Sequence, residues 1–195
     1  RDEDGDAIVI IEPKAGGADL SVRARVILGA DGARSEVARQ SISGADEVPF
    51  VYAYHEILRT PKTSIDPSRC DVYYDGKLSP DFYAWVFPHG STISAGAGTA
   101  IKGFSIRHAV GDLRRVAGLG DAEIVRREGA PIPLKPMRRW DNGRDVLVTG
   151  DAAGVVAPAS GEGIYYAMAC GLTCEKAIDQ FLSTRNAHAL RKARK

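Results

Sequence analysis

The sequence predicts an α/β fold with an α+β insertion, and two observations lead to this prediction. Near each end of the chain, a short apolar segment runs directly into a turn rich in Gly and Asp, as a strand does before the helix of an α/β unit. Between residues 48 and 100, strand-like segments follow one another with only tight turns between them, which favours antiparallel pairing. We therefore expect an antiparallel sheet inserted into an α/β domain.

The composition excludes several classes of protein. Among 195 residues, 26 Lys and Arg face 25 Asp and Glu, so the formal net charge is +1, whereas a nucleic-acid-binding surface needs a clear basic excess. Hydrophobic residues make up 44%, as in globular proteins, and no run approaches the roughly 18 apolar residues of a membrane helix. The three cysteines match no zinc spacing, so we expect reduced thiols and a cytoplasmic location.

The first section contains two predicted strands and a short helix. Ala7–Ile11 and Val22–Leu28 are rich in Val and Ile and are separated by a turn at residues 13–17. The second strand stays apolar to its end, which predicts a buried strand of the α/β sheet. Ser35 is placed to cap a helix over residues 36–40.

The middle section is predicted to form the antiparallel sheet. Its strands are expected at Val51–Leu58, Cys70–Tyr74, Phe82–Phe87 and Ser91–Gly98. A helix capped by Ser105 follows to about Leu119, and Ile124–Glu128 is one more candidate strand before a Pro-rich connection at residues 131–136.

The last section returns to an α/β pattern. Val146–Val148 is a short apolar strand, and a helix is predicted from Gly161 to Leu182. The face of this helix expected to pack against the core carries Ile164, Ala167 or Met168, Gly171, Cys174, Ile178 and Phe181.

The strongest functional signal lies between this last strand and its helix. It consists of Gly150, Asp151, Ala152, Ala153, Gly154, Pro158, Gly161 and Gly163. Gly150 allows a sharp turn off the strand, and Asp151 supplies an acceptor for a ribose hydroxyl. Gly161 and Gly163 open the helix, where free N–H groups and the dipole favour a phosphate or a ring that becomes anionic on reduction. An ordinary strand–turn–helix connection is the alternative, but the fixed gaps favour a binding motif.

A second signal, Gly29–Ser35, also follows a strand. Asp31-Gly32 is a common turn dipeptide and is weak alone, but it gains weight from the later motif. We expect the strand ends near residues 30 and 150 to converge on a single ligand. Asp31 and Asp151 should then share one cleft.

These two motifs resemble the "DG" and "GD" motifs of FAD-dependent enzymes with the p-hydroxybenzoate hydroxylase-like fold. Within that group, the sequence is most similar to the geranylgeranyl reductase family, and there to its chlorophyll and bacteriochlorophyll branch. The runs that carry the similarity are Ala53–Ile57, Tyr83–Gly90, Pro133–Asp145 and Ala157–Met168. Hydroxylases of this fold usually have His and Asn where this chain has Gly154 and Ile164, a departure that favours the reductase branch.

The resemblance implies FAD as cofactor and NADPH as the reductant of the flavin. Asp31 and Gly32 would approach the pyrophosphate, and Asp151 would bind ribityl or ribose hydroxyls. The rest of the motif would surround the flavin ring, so the implied cofactor-binding residues are Asp31, Gly32, Gly150, Asp151, Ala152, Ala153, Gly154, Pro158, Gly161 and Gly163.

The implied reaction is stepwise saturation of the C=C bonds of a geranylgeranyl group to phytyl. The group would be free as the diphosphate or esterified to (bacterio)chlorophyllide, and flavin N5 would deliver the hydride. No side chain stands out as the proton donor, so the catalytic residues are left unassigned. The implied partner is a prenyl lipid or prenylated tetrapyrrole, with the enzyme cytoplasmic or peripheral at the photosynthetic membrane. A flavin monooxygenase of the same fold is the alternative.

The Gly-x-Gly-x-x-Gly loop with which the family opens is absent, and residues 96–101 start like one but have Ile101 at the third glycine. We therefore interpret the chain, which starts at Arg1 in a charged run, as a fragment that is inactive by itself. Residues 1–45 and 131–182 are expected to be parts of an FAD-binding domain, and residues 46–130 the substrate domain. Residues 183–195 would be a basic tail that starts a truncated C-terminal region.

Tyr83, Trp85 and Phe87 alternate along a predicted strand, so their rings should share one face. In an anonymous sequence this is most often the core face of a sheet. The family resemblance implies instead that, with Pro88, they form a wall of a prenyl tunnel. Binding there would come mostly from burial, at roughly 25 cal/mol per Å² of apolar surface.

Other candidate functional residues are supported by weaker sequence patterns. Cys170 and Cys174 can reach one metal ion from a helix, but buried structural thiols are favoured. His55 and His89 can relay protons, although hydrogen bonds to local backbone groups are the more ordinary role. The basic tail can touch an anionic membrane, and a solvated helix end is the alternative.

Overall fold

The computed structural model describes residues 2–3, 5–60 and 65–194. Arg1 and Asp4 of the charged first run and Lys195 of the basic tail lie outside the described residues. The chain divides into two compact units. The first is Arg1–Pro49 with Pro133–Lys195, and the second is Phe50–Ile132.

The described residues form nine strands and three α-helices. The strands are β1 (Ala7–Ile11), β2 (Leu20–Ala24), β3 (Ile27–Gly29), β4 (Phe50–Arg59), β5 (Asp71–Tyr73), β6 (Ala84–His89), β7 (Thr92–Thr99), β8 (Ile124–Pro133) and β9 (Val146–Val148). The α-helices are α1 (Glu36–Ser41), α2 (Ile106–Val116) and α3 (Ile164–Thr184). None of these helices combines the length and apolarity that crossing a bilayer requires.

The first unit contains an antiparallel hairpin, β1–β2, and a parallel pair, β3–β9. The predicted single strand Val22–Leu28 is wrong, because the chain changes partners at residues 25–26, from the hairpin to the parallel pair. The hairpin part is also mostly exposed, with Leu20 at 57%, so it is not the buried strand that its apolar composition predicts.

The core of the first unit forms around β9, which is wholly buried. α3 packs against it through small side chains and Phe181, and a 3-10 helix at Ala187–Arg194 closes over α3 with Leu190 fully buried. The basic tail is therefore amphipathic, and its apolar side belongs to the core rather than to a solvated helix end.

The second unit is a five-stranded sheet in the order β5-β6-β7-β4-β8. The pairs β5–β6, β6–β7 and β7–β4 are antiparallel, which confirms the predicted antiparallel sheet. One face of the sheet packs on α2 through Val110 and Leu113, both fully buried. β8 continues past its predicted end at Glu128 into the first half of the segment predicted as a Pro-rich connection, residues 131–133. Pro is tolerated there because β8 is an edge strand.

Candidate functional site

The two Gly/Asp motifs, Gly29–Ser35 and Gly150–Gly163, follow strands that are neighbours in one sheet. β3 and β9 run parallel with Gly29 opposite Val148, and the backbone N–H of Thr149 donates to the Gly29 carbonyl at 3.0 Å. Because parallel strands end at a common edge, Asp31 and Asp151 both follow that edge within the first unit. The pairing places the two strand ends side by side, and their convergence on a single ligand in one cleft stays a prediction.

The carboxylate of Asp31 fixes the start of α1. Its Oδ1 accepts the Ser35 hydroxyl at 2.6 Å, and its Oδ2 accepts the backbone N–H groups of Glu36 and Val37 at 2.7 and 3.2 Å. Burial opposes its ionisation, but these hydrogen bonds outweigh burial and hold the pKa of Asp31 below its usual value. Ser35 in turn accepts the Ala38 N–H at 2.8 Å, which confirms it as the N-cap. Asp31 therefore shapes the loop, and its predicted contact with a pyrophosphate stays a prediction.

Asp151 differs from Asp31 in the hydrogen bonds and in the pKa of its carboxylate. It lies in a 3-10 helix, Gly150–Ala153, that begins with Gly150 at φ +56°, the sharp turn expected there. In the described part of the chain no hydrogen bond reaches its carboxylate, and burial raises its pKa. Asp151 is thus a half-buried acceptor with unused hydrogen-bonding capacity.

The start of α3 approaches this carboxylate closely. A Cβ at position 163 would lie 3.1 Å from Asp151 Oδ1 and 3.2 Å from Val156 Cγ1, so a side chain there would press on both. Gly163 is the N-terminal cap residue of α3 and has no side-chain cap. Glu162 Oε1 already accepts the first-turn N–H of Tyr165 at 2.8 Å, so only part of the first turn is open to a ligand. A free carboxylate beside such a terminus fits a cofactor that offers hydroxyl donors together with an electron-rich group, as FAD does.

The predicted packing face of α3 is wrong in its first half. Ile164 and Met168 are 77% and 70% exposed, while Cys170, Cys174 and Ala177 are buried. Small side chains face the 3-10 helix because the two backbones approach closely: a Cβ at Gly150 would lie 3.5 Å from Ala167 Cβ. The exposed face therefore carries the large apolar residues, and Pro158 and Gly161 precede it in the loop.

In the second unit, Tyr83, Trp85 and Phe87 form a continuous row of rings. The Tyr83–Trp85 and Trp85–Phe87 ring centroids are 5.9 and 6.2 Å apart, and Pro88 follows in the same strand. Ala84 and Val86, which alternate with them, belong to the core on the α2 side of the sheet. The prediction that the three rings share one face is confirmed, and their role in prenyl binding stays a prediction.

A chain of polar side chains holds the indole of Trp85. Trp85 Nε1–H donates to Ser94 Oγ at 3.1 Å, and Ser94 Oγ lies 2.9 Å from His55 Nδ1. His55 Nε2 lies 2.9 Å from Glu128 Oε2. Because the Glu128 carboxylate only accepts, His55 Nε2–H donates to it, and in a neutral imidazole Nδ1 then accepts the Ser94 hydroxyl. The expected backbone partners of His55 are thus replaced by side chains on neighbouring strands, which sequence spacing does not reveal.

The two helical cysteines lie within the core of the first unit. Cys170 and Cys174 are free and buried, and burial raises the pKa of both thiols. Among the described residues, no group of three potential ligands is placed to hold a metal ion. Cys70, in the second unit, is free and exposed.

Comparison with known proteins identifies the family. No protein-family model matches the chain. A geranylgeranyl diphosphate reductase from Rhodobacter capsulatus, however, is 49% identical over 98% of this chain and 49% of that protein. The chain belongs to the geranylgeranyl reductase family. It spans about half the length of this curated relative.

Solved structures show the fold. A geranylgeranyl bacteriochlorophyll reductase-like protein from Thermoplasma acidophilum matches with a TM-score of 0.77 over 91% of this chain and 47% of that one, at 21% identity. CmlS, a flavin-dependent halogenase, matches with a TM-score of 0.65 over 99% of this chain and 38% of that one, at 16% identity. The predicted fold class, an α/β fold with an inserted antiparallel sheet, is therefore confirmed.

Proposed function

We propose that this chain is part of an FAD-dependent reductase that saturates the C=C bonds of a geranylgeranyl group to give phytyl. The carrier is the free diphosphate or a (bacterio)chlorophyllide ester, and the electrons come from NADPH. The observation that supports this most is the 49% identity to a geranylgeranyl diphosphate reductase over nearly the whole chain.

The proposed cofactor site rests on the first unit. When bound, FAD supplies the hydride for an alkene carbon. We infer that Asp151 accepts hydrogen bonds from ribityl or ribose hydroxyls, since its carboxylate is half-buried and free of partners among the described residues. Gly161 and Gly163 would border the ring at the start of α3, and the loop shaped by Asp31 and Gly32 would approach the pyrophosphate. The remaining residues of the motif form the connection between β9 and α3 that positions Asp151 and the start of α3. They are Gly150, Ala152, Ala153, Gly154 and Pro158.

The proposed substrate surface is the ring row of Tyr83, Trp85 and Phe87, with Pro88. A prenyl chain offers no hydrogen-bonding groups along its length, so its affinity comes from apolar burial. An isolated alkene also lacks a carbonyl that could take up negative charge, so the protein contributes by positioning the chain and excluding water. Residues 1–45 with 131–182 and residues 46–130 accordingly keep their proposed roles as cofactor and substrate parts. Because the substrate is a lipid, the proposal includes contact with the photosynthetic membrane.

The decisive experiment is anaerobic turnover by the full-length protein. Geranylgeranyl diphosphate and geranylgeranyl bacteriochlorophyllide are offered separately with NADPH or reduced ferredoxin, and mass spectrometry counts the hydrogens added to the prenyl group. The proposal expects a visible flavin band and products that gain two hydrogens per reduced bond. Trp85→Ala should raise KM for the prenyl substrate while the flavin band is retained.

Two results would overturn the proposal. Product formation that requires oxygen and leaves every C=C bond in place would assign the protein to the monooxygenases. Unchanged prenyl substrates under both reductants, with flavin bound and reduced, would remove the geranylgeranyl assignment. The 195-residue chain by itself is expected to show neither turnover nor a stoichiometric flavin band.

A further inference from the structure

A second pocket in the first unit is lined mainly by arginines. Its volume is about 270 Å³, and its lining residues are Arg138, Arg139, Trp140, Asp141, Arg191 and Arg194. Two of the arginines come from the segment before β9, and two from the 3-10 helix Ala187–Arg194. None of the residues proposed for FAD lines this pocket.

The charges in this pocket do not balance. Asp141 supplies the one carboxylate among the lining residues, and its Oδ1 already accepts the Gly143 N–H at 2.8 Å, with Arg191 Nε 3.9 Å away. Arg138, Arg139 and Arg194 form no ion pair with any group in the described part of the chain. Guanidinium groups that share a concave site repel one another unless an anion lies between them.

Trp140 adds an independent sign of a missing acceptor. It is 7% exposed, and its indole N–H is buried without a hydrogen-bond partner in the described residues. Buried donors in folded proteins are nearly always paired, so a donor left over at a ligand pocket indicates an acceptor supplied from outside. The indole can only donate, as can the guanidinium groups that line the same pocket.

We propose that this pocket binds the phosphate or diphosphate group of a ligand. Arginine is the side chain best suited to phosphoryl oxyanions, since its planar fork donates two parallel hydrogen bonds. The pocket is large enough for a diphosphate, and four arginines from two segments surround it. The phosphoryl group comes either from a phosphorylated metabolite in solution or from an anionic lipid head group. The proposal does not depend on the reductase function, because binding is measured without turnover.

The test is calorimetric titration of the FAD-loaded full-length protein with inorganic diphosphate at fixed low ionic strength. Keeping FAD bound occupies the cofactor's own pyrophosphate site. One saturable site is expected, and Arg139→Gln with Arg194→Gln should weaken it at least about tenfold. The matched control, Lys135→Gln with Lys192→Gln, removes the same charge from exposed residues of the same two segments that lie outside this pocket. It should change the affinity less than about twofold.

The indole donor has its own variant. Trp140→Phe keeps an aromatic ring but removes the N–H, and it should weaken diphosphate binding severalfold while the flavin band is kept. If this variant does not fold, the arginine pair still decides the question. No saturable binding, equal losses in the arginine and lysine pairs, or full binding by the arginine variant would each overturn the proposal.

A lipid arm identifies the source of the phosphoryl group. Flotation with phosphatidylglycerol vesicles is compared with phosphatidylcholine vesicles. In one outcome, the protein floats with the phosphatidylglycerol vesicles and loses this flotation both in the Arg139→Gln, Arg194→Gln variant and on addition of diphosphate. That result identifies a lipid head group as the ligand. Diphosphate binding without flotation identifies a soluble phosphorylated ligand. Either result supports the site, whereas flotation that the lysine pair abolishes equally counts against it.

Discussion

Glu56 is a charged residue inside the second unit, and its surroundings make it indispensable there. Its carboxylate lies 2.8 Å from Arg114 Nη1 and 3.2 Å from Arg127 Nε, and it accepts the Tyr54 hydroxyl at 2.9 Å. Arg114 also donates to three carbonyls after α2, those of Leu119, Gly120 and Ala122. Because removing one partner leaves the other charge buried and unpaired, Glu56→Ala should lower the free energy of unfolding by about 3 kcal/mol.

Glu123 supplies the comparison for this prediction. It also pairs with an arginine, Arg59, at 2.7 Å, but both side chains are more than 60% exposed. Glu123→Ala should therefore cost less than about 1 kcal/mol. Urea unfolding of both variants measures the difference, and equal losses would show that the buried network contributes no more than a surface pair.

Asp151 is predicted to lower stability in return for ligand binding. Burial raises its pKa, so its charge destabilises the folded protein fully above that raised pKa. The effect fades as the pH falls and vanishes below the unfolded value of 3.8. Asp151→Asn should therefore raise the melting temperature of the FAD-free protein at pH 7, and the gain should shrink toward pH 4.

The same substitution tests the cofactor contact. A hydrogen bond to a charged acceptor is worth more than one to an amide, so Asp151→Asn in the full-length protein should weaken FAD binding about tenfold. Asp179→Asn, on an exposed position of α3, removes the same charge and should change neither quantity. Unaltered FAD affinity in Asp151→Asn, measured by fluorescence titration, would contradict the proposed contact.

At the level of elements, three strands of the second unit meet at Gly96. In the sheet register Gly96 lies opposite Trp85 of β6 and His55 of β4. A Cβ at this position would overlap the indole ring and lie 2.6 Å from His55 Cβ. Gly96→Ala should therefore lower stability by about 2 kcal/mol and displace the indole from Ser94. Near-ultraviolet circular dichroism would register the displaced ring.

Gly111 in α2 is the matched control, because the same substitution should there have the opposite sign. A Cβ at Gly111 meets nothing within 4 Å, and Ala stabilises a helix interior relative to Gly by roughly 0.5–1 kcal/mol. Gly111→Ala should accordingly raise the melting temperature. A loss of stability at this position would show that the space beside α2 is occupied.

For the whole molecule, local pattern predicted most elements but not their partners. β1 and β9 have their predicted bounds, and β4, β6 and β7 are shifted by two residues at most. Where the chain changes from one strand partner to another, at Arg25 and Val26, the sequence has no Gly, Pro or other turn residue, so one strand was predicted instead of two. Periodicity likewise assigned Ile164 to the core, since it assumes that large apolar residues are buried. The backbone approach at Gly150 instead selects small side chains.

The candidate site was predicted unevenly for the same reason. The Gly150–Gly163 motif is contiguous in sequence, so it could be assigned to the same edge as the Asp31 loop once the two strand ends were expected to converge. The polar chain through Ser94, His55 and Glu128 joins three strands, and the arginine pocket joins two distant segments. Neither the polar chain nor the arginine pocket has a characteristic spacing in the sequence. The adjacent arginines at 138 and 139 were nevertheless a visible sign of the pocket.

The two separate cores lead to a prediction for the molecule as a whole. Buried apolar residues fall into two clusters, one in each unit. The second unit has a five-stranded sheet, a helix packed on one face and the buried Glu56 network, in about 80 residues. This exceeds the roughly 40 residues below which domains usually need disulfides or metals. Phe50–Ile132 expressed alone should therefore unfold cooperatively on heating, as followed by circular dichroism. Glu56→Ala should lower its melting temperature as it does in the whole chain, whereas a gradual melt with dye-binding apolar surface would show that this core needs the rest of the chain.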